Sequence, residues 1–153
     1  MNRMLSLLAV TALLFTASAC GGKKPPEQTA VRSKNVLSAL RNISAAYEKK
    51  DLSSFMANVA PAYRGREALS NSLAAVFSKH EAIHFNIQYT RMLIMVEEKG
   101  LIKASFNWDG EWLAKEGTTQ KNGGRVTLVF EPESFKLVSI DGKNPFVPQP
   151  GEQ

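Results

Sequence analysis

The chain has 153 residues, with 19 lysines and arginines against 14 aspartates and glutamates, and one cysteine, Cys20. This length suits a single domain with one packed core. The formal net charge of +5 is carried by scattered residues, without the basic stripe and interleaved aromatic rings that nucleic-acid binding needs. A single cysteine excludes a disulfide within the chain and a cysteine-based metal site. We therefore predict no nucleic-acid partner and no cofactor.

The first 20 residues combine the parts of an export signal. Arg3 supplies a basic start, residues 5–15 form an apolar run, and the small residues 17–19 precede Cys20. The run is shorter than the roughly 20 apolar residues that cross a bilayer comfortably. An ordinary cleavage site and an uncleaved anchor are alternatives. The stretch resembles a bacterial lipoprotein signal peptide, with residues 1–19 removed.

That resemblance implies a lipid anchor. The mature chain would begin at Cys20, acylated on its thiol and its new amino group and so held to a membrane. Gly21 follows the cysteine instead of the aspartate that favours the inner membrane, which implies the periplasmic face of the outer membrane. Residues 20–29 form the lipidated cysteine and a Gly- and Pro-rich tether, a composition typical of a flexible linker. Lys23 and Lys24 lie where they would meet anionic lipid headgroups.

Three amphipathic helices are predicted next. The first covers residues 30–50, with apolar residues every three or four positions: Val36, Leu37, Leu40, Ile43, Ala46 and Tyr47. The second is capped by Asp51 and ended by Pro61, with the apolar stripe Leu52, Phe55, Met56 and Val59. The third starts near Gly65, and its stripe continues to His80 through Leu69, Leu73, Val76 and Phe77.

The apolar period then changes from about 3.6 to 2, which predicts strands. Residues 83–89 alternate, and residues 92–96 are apolar at every position, which predicts a bulge near Arg91 followed by a stretch buried on both faces. The next strand points one set of side chains inward: Ile102, Ala104, Phe106, Trp108 and Trp112. Asp109-Gly110 is either a bulge in this strand, which we favour, or a hairpin turn.

The last third is predicted as a loop, two strands and a tail. Residues 117–124 form a polar loop, and residues 125–131 form a strand with Val126, Leu128 and Phe130 inward. Residues 135–140 form the last strand. Residues 143–153 contain three prolines and form a tail that lies across the domain or is free.

Residues 30–142 resemble the nuclear transport factor 2-like (SnoaL-like) superfamily. The matching segments are residues 47–55 at a helix junction, residues 64–69 at a helix entry, and residues 125–130 and 135–142 in a closing hairpin. The resemblance implies an α+β fold in which three helices pack on a cone-like antiparallel sheet of about four strands. Its motifs are specific to a fold and nearly silent on function.

One segment matches a metal-binding motif in its sequence of residues. Residues 80–84 read His-Glu-Ala-Ile-His, the zinc protease signature, which works only when both histidines share one face of a helix. The period changes inside the motif, so we expect His80 and His84 to point apart and predict no metal site. A zinc hydrolase that uses His80, Glu81 and His84 is a distant alternative.

The resemblance also raises an enzymatic alternative. Enzymes of the superfamily place an acid, histidine or tyrosine inside the cone, where burial shifts its pKa for proton transfer. The inward positions here have no such group, unless a bulge at Gly110 turns Asp109 inward as a base, with Tyr63 or His80 assisting.

We expect instead an envelope lipoprotein with a noncatalytic domain that binds a small apolar ligand or a partner protein. A set of aromatic residues would line the ligand pocket: Tyr47, Tyr63, Tyr89, Phe106, Trp108 and Trp112. The two tryptophans would equally suit a core or the face of a homodimer.

Overall fold

A computed structural model describes residues 26–148, with side chains from residue 28. The predicted signal peptide, Cys20, residues 21–25 of the predicted tether and residues 149–153 lie outside the described residues. Within them, helices precede strands: α1 (Pro26–Glu48), α2 (Leu52–Ala57), α3 (Arg66–Lys79), β1 (His80–Ile87), β2 (Leu93–Val96), β3 (Ile102–Ala114), β4 (Thr119–Phe130) and β5 (Leu137–Gly142). A short 3-10 turn (Tyr89–Arg91) separates β1 from β2. None of the helices in residues 26–148 is both long and apolar enough to span a bilayer.

The three predicted helices are all present. Asp51 caps α2 as expected, since its carboxylate accepts a hydrogen bond from the Ser54 amide at 2.9 Å. α3 follows Gly65 and buries Leu69, Leu73 and Val76. α1 begins four residues before the predicted start, so residues 26–29 are helical and are not part of a tether. A proline suits the first position of a helix, because it lacks the N–H that would have no partner there.

All strands pair antiparallel in the order β1-β3-β4-β5. β2 also pairs with β3, from Leu93 opposite Ser105 to Val96 opposite Ile102. Because β4 covers the other edge of β3, β1 and β2 share one edge and act as a single strand interrupted by the 3-10 turn. Because the turn divides this edge into β1 and β2, the sheet has five strands, one more than predicted.

The predicted bulge near Arg91 and the doubly buried stretch after it are wrong. The 3-10 turn breaks the strand, and Leu93 and Met95 of β2 are 49% and 46% exposed. β2 has one face toward the core, against which Ile94 and Val96 are half-buried. Its other face is open, so only alternate side chains are covered.

The β3–β4 hairpin is longer and more regular than predicted. Its register runs without a shift from Ile102 opposite Phe130 to Leu113 opposite Thr119, so Asp109-Gly110 is neither a bulge nor a hairpin turn. Residues 119–124 belong to β4 instead of a loop. Glycine suits this stretch because a Cβ on Gly123 would lie 3.0 Å from the Trp108 carbonyl oxygen.

The core lies between the helices and the inner face of the sheet. The inward set predicted for β3 is confirmed, since Ile102, Ala104, Phe106, Trp108 and Trp112 are at most 2% exposed. The last strand begins at Leu137, two residues later than predicted, because Phe135 has a left-handed backbone (φ 53°) that ends strand geometry. Residues 143–148 lie against the domain, and Phe146 enters the core with 1% exposure.

Candidate functional site

Six aromatic side chains meet inside the cone, and we call them the aromatic cluster. They come from α1, α2, β1, β3 and the C-terminal segment (residues 143–148), and each is at most 6% exposed: Tyr47, Phe55, Phe85, Trp108, Trp112 and Phe146. The Phe146 ring lies 4.9 Å from Phe55, 5.2 Å from Tyr47 and 5.5 Å from Phe85, between ring centroids. Its contacts with Phe55 and Tyr47 are edge-to-face, the arrangement that aromatic pairs favour. Phe146 is therefore surrounded by rings from three other elements.

Two hydrogen bonds connect the cluster to the backbone of the C-terminal segment. Trp112 Nε1 donates to the Tyr47 hydroxyl at 2.7 Å, and that hydroxyl donates to the Phe146 carbonyl oxygen at 3.0 Å. Burial raises the pKa of Tyr47 far above its usual value, although the Trp112 hydrogen bond acts in the opposite direction. The phenol therefore stays protonated and remains a hydrogen-bond donor at neutral pH.

Gly110 makes room for the Trp112 ring. A Cβ on Gly110 would lie 2.5 Å from the outer edge of that indole. Gly110 and Trp112 are two apart on the same face of β3, so the ring folds back over the glycine. The glycine that suggested a bulge in the sequence thus shapes the aromatic cluster.

Trp108 carries a buried donor without an acceptor. Its side chain is 2% exposed, and Nε1 has no hydrogen-bond partner among the described residues. The ring packs 5.8 Å from Phe85 and 6.4 Å from Trp112, between centroids. An unmet buried N–H costs about 1–3 kcal/mol, so an acceptor brought here by a ligand would recover stability.

An open groove of about 420 Å³ lies beside the C-terminal segment. Its lining combines α3, the start of β1, β4 and the two residues after Phe146: Ser72, Ala75, Val76, Lys79, His80, Gln120, Val147 and Pro148. His80 is 3% exposed, and its Nδ1 lies 2.8 Å from the Val76 carbonyl oxygen, which requires the proton on Nδ1. Lys50 donates to the His80 and Glu81 carbonyl oxygens at 3.0 and 2.8 Å and so fixes this junction.

The two histidines of the zinc-like motif lie on opposite faces of β1. His80 is buried, whereas His84 is exposed, because the register shifts between His80 and Ala82. Both are in a strand and not in a helix. Over residues 26–148, no group of three His, Cys, Asp or Glu side chains is placed to hold a metal ion.

The residues of the enzymatic alternative are not brought together. Asp109 is exposed on the outer face of the sheet, where Asn86 Nδ2 and Gln88 Nε2 donate to it at 3.2 and 3.5 Å. The inward turn that this alternative requires is absent, because β3 keeps its alternation through Gly110. Tyr63 is half-buried between α2 and α3, and burial and then the charge of Asp141 raise its pKa.

The predicted pocket residues divide into two groups. Tyr47, Trp108 and Trp112 join the aromatic cluster, and Phe106 is buried on the same face of β3. Tyr63 is half-buried, and Tyr89, predicted to face inward, is 41% exposed in the 3-10 turn. The sequence prediction missed Phe146. The signal that could have found it is a phenylalanine isolated among the prolines of a polar tail.

The chain matches no family model, and no curated protein is significantly similar to it. Solved structures are similar in shape. A nuclear transport factor 2-like superfamily protein from Salmonella enterica aligns with a TM-score of 0.65 at 15% identity, over 82% of this chain and 99% of that one. The fold is that of the nuclear transport factor 2-like superfamily.

Two further structures show the range of proteins with this fold. A proposed aromatic ring hydroxylase from Novosphingobium aromaticivorans aligns with a TM-score of 0.62 at 11% identity, over 76% of this chain and 89% of that one. A protein of unknown function from Mycobacterium tuberculosis has the same TM-score and identity, over 78% and 75%. Identities this low establish the fold alone.

Proposed function

We propose that the protein is an envelope lipoprotein, anchored through Cys20, whose noncatalytic domain binds a small apolar ligand or an apolar side chain of a partner in the aromatic cluster. The observation that carries the proposal is the position of Phe146. An aromatic ring and a hydrogen-bond acceptor already occupy the cluster, and both are supplied by the C-terminal segment. A ligand with the same two features would replace them.

The contacts of Phe146 define what such a ligand must offer. The ring of the ligand would pack edge-to-face against Phe55 and Tyr47, and an oxygen of the ligand would accept a hydrogen bond from the Tyr47 hydroxyl. A second acceptor would satisfy the buried Nε1 of Trp108. An aromatic compound with carbonyl or ether oxygens therefore fits better than a plain hydrocarbon.

The chemistry of the cluster supports binding over catalysis. Proton transfer needs a group whose pKa lies near the working pH. The ionisable member of the cluster is Tyr47, whose pKa is raised away from neutrality. Asp109, the base of the enzymatic alternative, faces the opposite side of the sheet.

The experiment removes the Phe146 ring from the aromatic cluster and tests whether a probe binds in its place. Phe146→Ala should remove the ring that competes for the cluster and weaken the packing of the C-terminal segment, so that an aromatic probe can take the place of that segment. We expect the folded variant to bind N-phenyl-1-naphthylamine with saturable, one-to-one fluorescence enhancement. Phe130→Ala is the matched control, because Phe130 is equally buried but makes no ring contact with Phe146.

Each outcome is decisive when thermal unfolding shows that both variants remain folded. Tighter saturable binding by Phe146→Ala than by the wild-type chain or Phe130→Ala supports the proposal, because the competing ring is gone. No binding by Phe146→Ala, or equal affinity in Phe146→Ala and Phe130→Ala, contradicts it.

A further inference from the structure

The net charge of the mature chain is confined to its N-terminal part. Residues 20–47 contain five basic residues and one acidic residue, whereas residues 48–153 contain 13 of each. The basic residues are Lys23, Lys24, Arg32, Lys34 and Arg41, and the acidic one is Glu27. α1 therefore has no acidic residue from Gln28 to Tyr47, although the rest of the chain is electrically balanced.

Part of this charge lies on one exposed face of α1. Val31, Lys34, Ser38 and Arg41 recur at intervals of three or four residues, which places them on a single helix face. All four are exposed, and Val31 is 53% exposed despite being apolar. We call these four residues the α1 surface.

One hydrogen bond and one electrostatic interaction show how α1 lies against the sheet. Glu48, at its C-terminal end, accepts a hydrogen bond from the Phe85 amide at 2.9 Å. Burial raises the pKa of Tyr89, and the charge of nearby Arg41 acts in the opposite direction. α1 thus runs antiparallel to β1, and Tyr89, 41% exposed, adds an aromatic ring beside the α1 surface.

The length of chain before α1 limits its distance from the anchor. Five residues separate Cys20 from Pro26, where α1 begins. Even fully extended, the six residue steps from Cys20 to Pro26 span only about 20 Å. Lipid chains on Cys20 would therefore hold the N-terminal end of α1 close to the bilayer, whatever path the linker takes.

We propose that the α1 surface docks on the anionic lipid headgroups of the membrane that holds the anchor. This proposal rests on the lipid anchor of the proposed function. Each basic residue near an anionic bilayer strengthens binding roughly fivefold, and the attraction decays over about 8 Å at physiological salt. The short linker holds the start of α1 within about 20 Å of the bilayer, so the α1 surface can reach that range. Exposed Val31 and Tyr89 suit the boundary between headgroups and acyl chains.

The experiment uses the acylated full-length mature chain in vesicles. Because acylation consumes the thiol of Cys20, an introduced cysteine is the single free thiol. One label is placed through Ser38→Cys on the α1 surface and another through Thr118→Cys in the exposed β3–β4 turn. Lipids with a nitroxide headgroup quench a fluorophore that touches the bilayer surface.

We expect strong quenching at Ser38→Cys and little at Thr118→Cys in vesicles that contain phosphatidylglycerol. In the Ser38→Cys background, Lys34→Glu with Arg41→Glu should lower the ratio of docked to undocked molecules by at least roughly 25-fold, from the fivefold contribution of each residue. Lys115→Glu with Arg125→Glu makes the same change in net charge at exposed residues away from α1 and should have little effect.

Palmitate incorporation, measured on the same preparations, separates the two proposals. An acylated protein with equal quenching at both labels, or with equal loss from both charge reversals, overturns the docking proposal and leaves the anchor intact. A chain that incorporates no palmitate overturns both.

Discussion

The interior of the cone and the exposed face of α1 use opposite physical chemistry. The aromatic cluster excludes water and charge, and its main polar contacts are the hydrogen bonds from Trp112 to Tyr47 and from Tyr47 to the Phe146 carbonyl. The α1 surface is hydrated and basic. Substitutions in the cluster should therefore change stability and ligand binding, whereas substitutions on α1 should change membrane contact at almost unchanged stability.

The largest difference between the two regions should come from removing one apolar side chain in each. Phe146→Ala should lower the free energy of unfolding by about 3–5 kcal/mol, as for other buried phenylalanines. Val31→Ala should change it by less than about 0.5 kcal/mol, because Val31 is exposed. Urea unfolding measures both free-energy changes. A similar loss in the two variants would contradict the expected difference between the cluster and the α1 surface.

A smaller effect is expected at the hydrogen bonds that hold the C-terminal segment. Tyr47→Phe keeps the ring but leaves the Trp112 N–H and the Phe146 carbonyl without their partner. The loss should be about 1–3 kcal/mol, the cost of leaving a buried polar group unpaired. Urea unfolding measures the loss, and a change below about 0.5 kcal/mol would show that these hydrogen bonds do not hold the segment.

The Trp108 N–H has no acceptor among the described residues, so its removal should cost less stability than removal of a bonded N–H. A shorter ring would open a small cavity, but Trp108→Phe also removes an N–H that has no acceptor among the described residues. We expect its loss of stability to be at least about 1 kcal/mol smaller than that of Trp112→Phe, whose N–H is bonded. Equal losses would indicate that Trp108 Nε1 is satisfied in solution.

The smallest effect is expected at Asp109. Its carboxylate is exposed, and its contacts with Asn86 and Gln88 are long, so Asp109→Ala should change stability by no more than about 0.5 kcal/mol. Strong stabilisation would instead indicate a strained, functional carboxylate.

Much of the fold could be predicted because it depends on local patterns. Apolar spacing located the three helices and the inward set of β3, and the Asp51 cap followed from a short-range hydrogen bond. The errors arose where contacts between residues far apart in the sequence determine the local structure. Gly110 and Gly123 resemble turn residues in the sequence, but a Cβ on Gly110 would collide with the Trp112 ring and one on Gly123 would crowd the Trp108 carbonyl oxygen across the hairpin.

The candidate site was only partly predictable for the same reason. Tyr47, Trp108 and Trp112 were expected to line a pocket, but the residue that fills it lies 99 positions from Tyr47 in the chain. A phenylalanine isolated in a polar tail indicates burial, but no local pattern shows which cavity it enters. The docking of Phe146 depends on a cavity that forms only when the sheet and helices meet.

The most direct test of the central claim follows the Phe146 ring while a probe binds. Phenylalanine can be replaced by 4-fluorophenylalanine throughout the wild-type chain, with the Phe146 resonance assigned by its absence in Phe146→Leu. On addition of N-phenyl-1-naphthylamine, we predict that the ¹⁹F resonance of Phe146 moves to a solvent-exposed position while that of Phe130 stays unchanged. A bound probe with an unmoved Phe146 resonance would contradict the claim that ligand and C-terminal segment compete for the aromatic cluster.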